Sequence, residues 1–521
     1  MSERYLSLSL FCLLLMPFGR TAVGAAEVKG LQRSQWAYPE GKGRLVYKTT
    51  GRGDKIMDFS SAGYMGGEAR LPAVSVSLSV EPSGGDDTAV IQKAIDVVSR
   101  RPLSGIFRGT VLLKPGQYSC SGSLTIETSG VVLRGSAPGP EGTVLKMTGA
   151  PHIAILVSGR ANLIPSKTVG IQEQYIPAGS TSLVVQSEAV FERGDNVLVS
   201  RPVTANWVHF MGMDGLTRNG RKETWLAVSS RTTAERTVTA VQGNRLILDI
   251  PLSDSFDAAF LSPPGGTVTK IIDNGRISQV GLESLRIVAP PQAVAISEPH
   301  HRGIRLQGAQ DCWVRDVSVV DTVDSVGVGR DCRRITVQNV SINHSVSTQG
   351  AAKPADFSTE GSQVLFRDCS STGDNLFYFV TGARVTGPNV LLNCVFHGNG
   401  HIQPHARWAT GLLIDNCEVP EGGIDLMNRG EMGSGHGWTS GWSVAWNCTA
   451  KTFIIQQPPG ALNWAIGCCG TRLRQGMPFS HKTELVEGIF DSPGVRVEPA
   501  SLYSAQLGDR IGPEAVKALG Y

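Results

Sequence analysis

The residues best suited to chemistry are concentrated between positions 374 and 446. The side chains there that can transfer protons, carry charge or stack on a ligand are Asp374, Asn375, His397, His401, His405, Arg407, Trp408, Asp415, Asp425, Asn428, Arg429, Glu431, His436 and Trp438. Imidazoles such as His405 and His436 exchange protons near neutral pH. Guanidinium groups can neutralise a bound carboxylate, and paired carboxyl groups can act as acid and base. The segment therefore predicts a catalytic or binding site.

Two strings within this segment favour function over packing. In Pro404-His405-Ala406-Arg407-Trp408 the proline favours an extended segment, which places His405 and Arg407 on one side, two residues apart. In Gly433-Ser434-Gly435-His436-Gly437-Trp438, glycines surround a histidine and a tryptophan, as suits a loop that contacts a ligand. The remaining candidates have structural alternatives. Asp374-Asn375 and Asp415-Asn416 can be turn residues or internal ladders, and His401 can be a solvated turn residue.

A repeated frame shows which elements must position these residues. A cysteine follows a short Asx-rich turn at intervals of 20 to 37 residues, in Gln310-Asp311-Cys312, Arg330-Asp331-Cys332, Arg367-Asp368-Cys369, Leu392-Asn393-Cys394, Asp415-Asn416-Cys417 and Trp446-Asn447-Cys448. Alternating runs such as 335–342 mark strands with one buried face. Short strands at this period, with no helix between them, predict an all-β parallel β-helix in which each turn of the coil stacks on the last. The cysteines are then interpreted as small buried hydrophobes, with a disulfide framework as the alternative. No CxxC pair supports a metal site.

The coil needs a covered end, and the sequence before it predicts one. Apolar residues at 91, 94, 95 and 98 recur at helical spacing after Asp86-Asp87, which can cap a helix near residues 87–98. The predicted organisation is a signal peptide at 1–26, an N-terminal extension at 27–79, the β-helix at 80–480 and a C-terminal tail at 481–521. The signal is inferred from Arg4, the apolar stretch 6–18 and the small residues 22–26, and it predicts a secreted or periplasmic protein. No later apolar run predicts a membrane span.

The opening of the coil resembles a known superfamily. The run from Gly85 to Val98, followed by Val111-Leu112-Leu113-Lys114-Pro115-Gly116-Gln117-Tyr118, is similar to the start of pectate-lyase-like right-handed parallel β-helix proteins. These include polysaccharide lyases, polygalacturonase-like glycoside hydrolases and phage tailspikes. The resemblance covers about 80–480, except for a β-rich insertion at about 165–275. The aromatic residues of this lobe, among them Trp207 and Trp225, are interpreted either as a wall of a sugar groove or as packing against the coil.

The resemblance implies a polysaccharide substrate, and two reactions then fit the site. Elimination from a uronate needs a cation on the carboxylate, for which Arg407 and Arg429 are suited, and a base, for which His405 or His436 is suited. Hydrolysis needs two carboxyl groups about 5–9.5 Å apart, and Asp425 is among the candidates. The cationic bias favours the lyase, with the hydrolase and a non-catalytic carbohydrate-binding protein as alternatives. The predicted substrate contacts are His401, Trp408, Asn428, Trp438, Asp374, Asn375, Trp207 and Trp225.

Composition limits the partners. The formal net charge is only +3, and no Lys/Arg run is typical of a nucleic-acid or membrane tether. An acidic polysaccharide or oligosaccharide must therefore be recognised locally. No cofactor is identified. Calcium, which many members of the superfamily use, could bind through Asp residues, although no contiguous acidic loop requires it.

Overall fold

The computed structural model describes residues 32–41, 43–187, 190–479 and 484–521. The predicted signal peptide lies outside these residues. Within them the chain forms the predicted all-β, right-handed parallel β-helix, built from a continuous sheet of 28 strands. Each strand of the coil pairs in parallel with a strand of the next turn. No helix among the described residues is long and apolar enough to cross a membrane.

The coil has three faces. The first face contains Val76–Val80, Gly109–Leu113, Val131–Arg134, Ile277–Ser278, Gly281–Val288, Ala309–Val320, Arg333–Asn343, Ser362–Arg367, Thr386–Leu392, Ala409–Asp415, Ser440–Gly441, Ser443–Trp446, Asn463–Ile466 and Ile489–Asp491. The second contains Gly116–Cys120, Thr143–Met147, Ser370–Thr372, Val395–His397 and Cys469–Arg472, together with parts of longer strands. The third, which carries the site, contains Leu124–Ile126, Ile153–Ser158, Arg302–Gln307, Asp324–Val328, Ala355–Thr359, Phe377–Thr381, His401–Ile402, Glu418–Leu426 and Thr449–Ile455. The parallel pairing thus continues to Asp491, beyond the predicted end at 480.

The capping helix spans Thr88–Ser99 and buries the predicted face of Ile91, Ala94, Ile95 and Val98. Asp86 accepts a hydrogen bond from the Thr88 backbone N–H at 3.0 Å. Asp87 instead accepts from the backbone of Ser83 and Ser119. The amphipathic face therefore covers the first coils. Asp86 caps the start of the helix, and Asp87 ties it to the preceding loop and to the strand at Ser119.

The cysteines lie inside the coil as free thiols. Eight of the nine cysteines after residue 31 are buried, and only Cys469 is partly exposed. The thiols of five of them lie within hydrogen-bonding distance of backbone carbonyl oxygens of the coil: Cys369, Cys394, Cys417, Cys448 and Cys468. Burial disfavours the thiolate, and it raises the pKa of Cys332 to about 11. The repeated frame therefore encodes packing.

The insertion is an antiparallel lobe, whereas the coil is parallel. Its six-stranded sheet consists of Asn162–Gly170, Ser182–Val184, Asn196–Pro202, Arg231–Gln242, Arg245–Leu248 and Thr267–Asn274. Helices Ala205–Phe210 and Ala258–Leu261 and the strand pairs Tyr175–Ile176/Phe256–Asp257 and Thr217–Arg218/Arg221–Lys222 complete it. The second of these pairs is a hairpin that reaches the functional site.

The two ends of the chain form the remaining elements. They are the hairpin strands Ala37–Glu40 and Arg44–Tyr47, the parallel pair Gln32–Arg33 and Val497–Glu498, the 3₁₀ turn Tyr64–Gly67, and helices Leu502–Ile511 and Pro513–Ala518. Tyr503 from the first of these helices is buried and donates to the carbonyl of Ala62. The predicted C-terminal tail is therefore part of the folded body.

Candidate functional site

A cleft of about 780 Å³ lies on the third face of the coil. Its floor comes from consecutive coils, at the strands that begin with Phe377, His401 and Glu418. Loop residues 351–353 and 432–433, the lobe hairpin at Arg218 and the segment at Phe479 surround it. A volume of this size is typical of sites for small or extended ligands.

Strand alternation projects three polar side chains into this cleft. Ile402 and Ile424 are fully buried and point into the coil, so their neighbours His401, Gln403 and Asp425 point outward. Asp425 Oδ2 accepts from His401 Nδ1 at 2.8 Å and from Gln403 Nε2 at 2.7 Å. Asp425 Oδ1 is buried and has no hydrogen-bond partner among the described residues. The carboxylate thus orients the imidazole through one oxygen.

A glycine makes this pair possible. Gly423 is the register partner of His401 on the next coil. A Cβ at Gly423 would lie 2.6 Å from His401 Nδ1 and 2.7 Å from Thr452 Oγ1. A side chain there would therefore push the imidazole away from Asp425. Because His401 Nδ1 donates to the carboxylate, its Nε2 carries the free lone pair of the neutral ring.

A second group forms where the same strands end. Arg429 Nη1 donates to both Nδ1 and the carbonyl oxygen of His405, each at 2.9 Å. Guanidinium nitrogens only donate, so His405 Nδ1 accepts and the neutral ring carries its proton on Nε2. Phe377 packs edge-on against His405, with ring centroids 5.3 Å apart, and the Arg429 guanidinium lies 5.4 Å from the Phe377 centroid. In this tautomer His405 offers a donor at Nε2 and has no free lone pair, so the role of base predicted for His405 or His436 is not favoured for His405.

Burial and positive charge keep the imidazoles neutral. Burial, with Arg429 and His436 nearby, lowers the pKa of His405 to about 3. Burial, followed by Arg429, Arg407 and Arg218, lowers the pKa of His436 to about 4. Burial also lowers the pKa of Arg429 to about 10, although Asp425 opposes the shift. At neutral pH the group is therefore one buried cation beside two neutral rings. Arg429 Nε and His436 Nδ1 are buried and have no hydrogen-bond partner among the described residues.

His436 reaches the cleft on a loop that is held from both sides. The left-handed Gly433 lies under the ring, and a Cβ there would be 2.2 Å from His436 Nε2. On the cleft side, Arg218 Nη1 from the lobe donates to the Gly433 carbonyl at 3.0 Å. On the far side, Arg407 Nη2 donates to the carbonyl and the hydroxyl of Ser434 at 2.6 and 2.7 Å. The lobe and the coil together fix the histidine.

Arg407 does not line the cleft. Its guanidinium holds the back of the loop and borders a separate depression that it shares with Ser434 and Trp225. This corrects the expectation that Arg407 contacts the substrate carboxylate together with Arg429. His405 and Arg407 differ in direction because both Arg407 and Trp408 adopt left-handed backbone conformations, with φ of 56° and 67°.

The four predicted tryptophans are structural. Trp207, Trp225, Trp408 and Trp438 are each at most 3% exposed, and the ring centroids of Trp207 and Trp408 lie 5.6 Å apart. The Trp408 indole donates to Asp254 of the lobe at 2.7 Å. These rings pack the lobe onto the coil. They therefore cannot act as the exposed wall of a sugar groove.

Three further candidates also lie outside the cleft. Asn428 is buried and its Oδ1 accepts from the Gly430 backbone, which shapes the turn before the loop. Asp374 and Asn375 lie in a turn that exchanges hydrogen bonds with Asn399. They belong to the side of the third face opposite Arg429, where the strand Phe377–Thr381 begins. Their alternative interpretation as turn residues matches these contacts.

Several residues that line the cleft were not predicted. They are Arg218, Asp324, Lys353, Glu360, Phe377, Gln403, Met427 and Phe479. Gln403 and Met427 lie at outward strand positions beside predicted residues, so the alternation could have identified them. Arg218 and Lys353 come from a lobe and a loop whose placement no local pattern encodes.

The cleft contains carboxylates but no cluster of metal ligands among the described residues. Asp324, Glu360 and Asp425 line the cleft, whereas Asp415 is fully buried and accepts from Ser501 and the Tyr503 backbone. Within the described residues, no three His, Cys, Asp or Glu side chains converge to hold a metal ion. We therefore name no calcium ligands.

No protein-family model and no curated protein matches the sequence. Solved structures with similar folds include the tailspike protein gp49 from Pseudomonas phage LKA1, with 13% identity, a TM-score of 0.40, and coverage of 75% of this chain and 67% of that one. The Azotobacter vinelandii mannuronan C-5 epimerase AlgE6 A-module has 11% identity, a TM-score of 0.35 and coverage of 75% and 71%. The GH87 alpha-1,3-glucanase catalytic unit from Streptomyces thermodiastaticus has 11% identity and a TM-score of 0.31, with coverage of 82% of this chain and 70% of that one. Likeness at this level does not bear on the reaction or the substrate of this chain.

Proposed function

We propose that this protein cleaves an acidic, uronate-containing polysaccharide by β-elimination outside the cytoplasm. The observation that carries the proposal is the His401–Asp425 pair beside the buried Arg429–His405 group in one cleft. An oriented imidazole next to a fixed cation is what removal of a proton alpha to a carboxylate requires. The exported location rests on the sequence features of residues 1–26.

Each side chain has a separate task in this reaction. Arg429 and the His405 Nε2–H bind the uronate carboxylate, which makes the alpha proton more acidic. His401 Nε2 removes that proton, while Asp425 holds the ring through Nδ1 and stabilises the imidazolium that forms. The electron pair forms the carbon–carbon double bond as the bond to the glycosidic oxygen breaks, and the leaving oxygen takes a proton from water.

A hydrolase on the same cleft is the second candidate. The observation that favours it is that Asp425 Oδ1 has no hydrogen-bond partner among the described residues, in a cleft that Asp324 and Glu360 also line. A hydrolase would use Asp425 as one of two catalytic carboxyl groups. The two hydrogen bonds that Asp425 accepts already commit its other oxygen to His401 and Gln403, which favours the orienting role.

The products distinguish the two reactions. The protein is incubated with pectins, rhamnogalacturonans, glycosaminoglycans, alginate and ulvan. Elimination yields new reducing ends together with the ultraviolet absorbance of an unsaturated uronate, whereas hydrolysis yields reducing ends alone. Arg429→Gln should abolish the unsaturated product. Reducing ends without that absorbance would overturn the lyase proposal in favour of the hydrolase.

A further inference from the structure

A second cavity of about 210 Å³ lies at the junction of the coil and the lobe. Arg231, Arg330, Arg333 and Arg384 line it, together with Glu235, Asp331 and Glu360. We call it the arginine recess. It is smaller than the roughly 300–1,000 Å³ of most ligand pockets, so it suits one sugar ring or its acidic group.

The recess and the cleft are connected along the coil. Val328, Thr359 and Thr381 are register partners at the ends of three consecutive strands of the third face. The turns that follow these strands carry Arg330, Glu360 and Arg384. Glu360 lines both cavities, so it marks the boundary between them. The next turn in this stack carries His405 and Arg407. The carbonyl oxygen of Arg407 accepts from the Arg384 backbone N–H at 2.9 Å. Successive coils lie about 4.8 Å apart, so an extended chain along the axis would pass from one cavity into the other.

The charges of the recess are incompletely balanced. The Glu235 carboxylate forms ion pairs with the guanidinium groups of Arg276, at 2.5 Å, and Arg333, at 3.0 Å. Arg330 makes a long contact of 3.4 Å with Glu360. The Arg384 guanidinium donates to the carbonyl oxygen of Arg231, at 3.1 Å, and it forms no ion pair with a carboxylate of the described residues.

Two further features of the recess favour the binding of an anion. Arg333 is nine-tenths buried, and its Nε has no partner within the described ranges. Burial and the proximity of Arg330 lower the pKa of Arg384, because two guanidinium groups share one partly desolvated space. A carboxylate in the recess would pair with the Arg384 guanidinium and relieve this repulsion.

We propose that the arginine recess is a second anion-binding subsite, which takes the carboxylate of a uronate further along the chain that occupies the cleft. The proposal rests on the proposed function for the identity of the acidic sugar. It makes the protein selective for long stretches of uronates, because only a chain that spans both cavities reaches Arg384.

Binding of two chain lengths tests the subsite. Oligogalacturonate and oligomannuronate, each as decamer and dimer, are titrated by calorimetry into protein carrying His401→Gln, so that no probe is cleaved. Adding Arg384→Gln should weaken binding of at least one decamer about tenfold, the scale of a charged hydrogen bond, and leave the dimers unchanged. The weakened decamer should also show a shallower dependence of affinity on salt.

Matched variants keep the result specific. Arg193→Gln removes an exposed lobe arginine outside the recess and should change nothing. Arg384→Lys keeps the charge without the planar fork and should retain most of the binding. Equal losses for decamer and dimer, no difference from Arg193→Gln, or no binding of either decamer by the His401→Gln protein would each overturn the subsite.

The outcome separates the subsite from the reaction. If acidic polysaccharides are cleaved but Arg384→Gln does not affect long chains, the recess is wrong and the lyase stands. If no polysaccharide in the panel is cleaved but Arg384→Gln weakens the decamer selectively, the subsite stands and the catalytic proposal is wrong.

Discussion

The same coils have two corners that use similar residues in opposite ways. One corner joins the first face to the second and carries Asp368, Asn393 and Asn416 at left-handed φ of 53–54°. The other is the part of the third face and its following turns that lines the cleft, and it carries His401, His405, Asp425, Arg429 and His436. Both consist of polar residues on successive turns, and all of them except Asp368 belong to the segment 374–446.

The first corner satisfies its own hydrogen bonds. Asn416 donates to Asn393 at 2.9 Å, and Asn393 donates to Asp368 at 3.3 Å. At the second corner Asp425 Oδ1, Arg429 Nε and His436 Nδ1 are buried without partners among the described residues. A buried polar atom without a partner costs about 1–3 kcal/mol. The Asp and Asn side chains of the first corner thus bond one another, whereas three polar atoms of the second corner are left without such partners among the described residues.

The largest expected effect tests the chemistry of the second corner. His401→Gln keeps a donor near Asp425 but removes the basic Nε2, so kcat should fall about 10²- to 10⁴-fold, the usual contribution of a general base. The melting temperature should stay near that of the parent, because His401 lies outside the buried core. Initial rates on the cleaved polysaccharide and a thermal melt measure both. A loss below about threefold would remove His401 from the mechanism.

The sequence predicted the fold far better than the site. The Asx-Cys frame recurs in the same place on four consecutive coils, at Cys369, Cys394, Cys417 and Cys448. Cys312 does not share that place, because it pairs in register with Ile335, and Ile335 pairs with Val364, five residues before Cys369. The alternating strands between the turns therefore predicted the fold as much as the cysteines did. The face of the capping helix was also readable, because burial of Ile91 and Val98 depends on local spacing. These features depend on residues that are close in sequence or repeated at a constant interval.

The sequence identified residues that the fold brings into one cleft, whereas their roles stay predictions. His401, Asp425, His405, Arg429 and His436 do meet in one cleft. Their roles depend on which atom faces which neighbour, and this is set by single backbone choices such as the left-handed Arg407. For Trp207 and Trp225 the sequence left open a groove wall or packing against the coil, and their burial agrees with packing. Trp408 and Trp438 are buried in the same interface, which no local pattern encodes.

Arg407 should have a smaller effect, because it acts through the loop and does not touch the cleft. Arg407→Ala removes the hydrogen bonds to Ser434 and should lower kcat/KM about tenfold, equal to about 1.4 kcal/mol, by releasing His436. Arg407→Lys should restore part of the rate, since one donor can still reach the loop. Adding His436→Ala to Arg407→Ala should then cost little more. A loss as large as that of His401→Gln would instead return Arg407 to direct substrate contact.

Acid should destabilise the second corner. The folded pKa values of about 3 for His405 and about 4 for His436 lie below the ordinary value of 6.5. Between these values the unfolded chain binds protons that the folded protein does not, so the free energy of unfolding falls as the pH decreases from about 6.5 towards 4. Asp415 acts in the opposite sense, because burial raises its pKa to about 7, so the folded state binds the extra proton.

A double variant isolates the histidine contribution. The protein with His405→Gln and His436→Asn lacks both titrating rings, so its melting temperature should fall less than that of the parent between pH 7 and pH 4. Replacing the exposed His209 of the lobe by glutamine is the control and should leave the parent profile unchanged. Parallel profiles for the parent and the double variant would contradict the assignment.

The smallest effect on activity is expected at the first corner. Asn393→Ala removes two side-chain hydrogen bonds and forces a Cβ-bearing residue without polar compensation into the left-handed region, so it should cost about 1–2 kcal/mol of unfolding free energy. Asn393→Gly keeps the backbone conformation and loses only the side-chain bonds, so it should cost less than the alanine variant in spite of its greater chain entropy. Denaturant unfolding measures both, and kcat/KM per folded molecule should stay within about threefold of the parent, under roughly 0.7 kcal/mol. A selective loss of activity at Asn393 would show that the Asx corner also contacts the substrate. The two corners would then not differ in whether they contact the substrate.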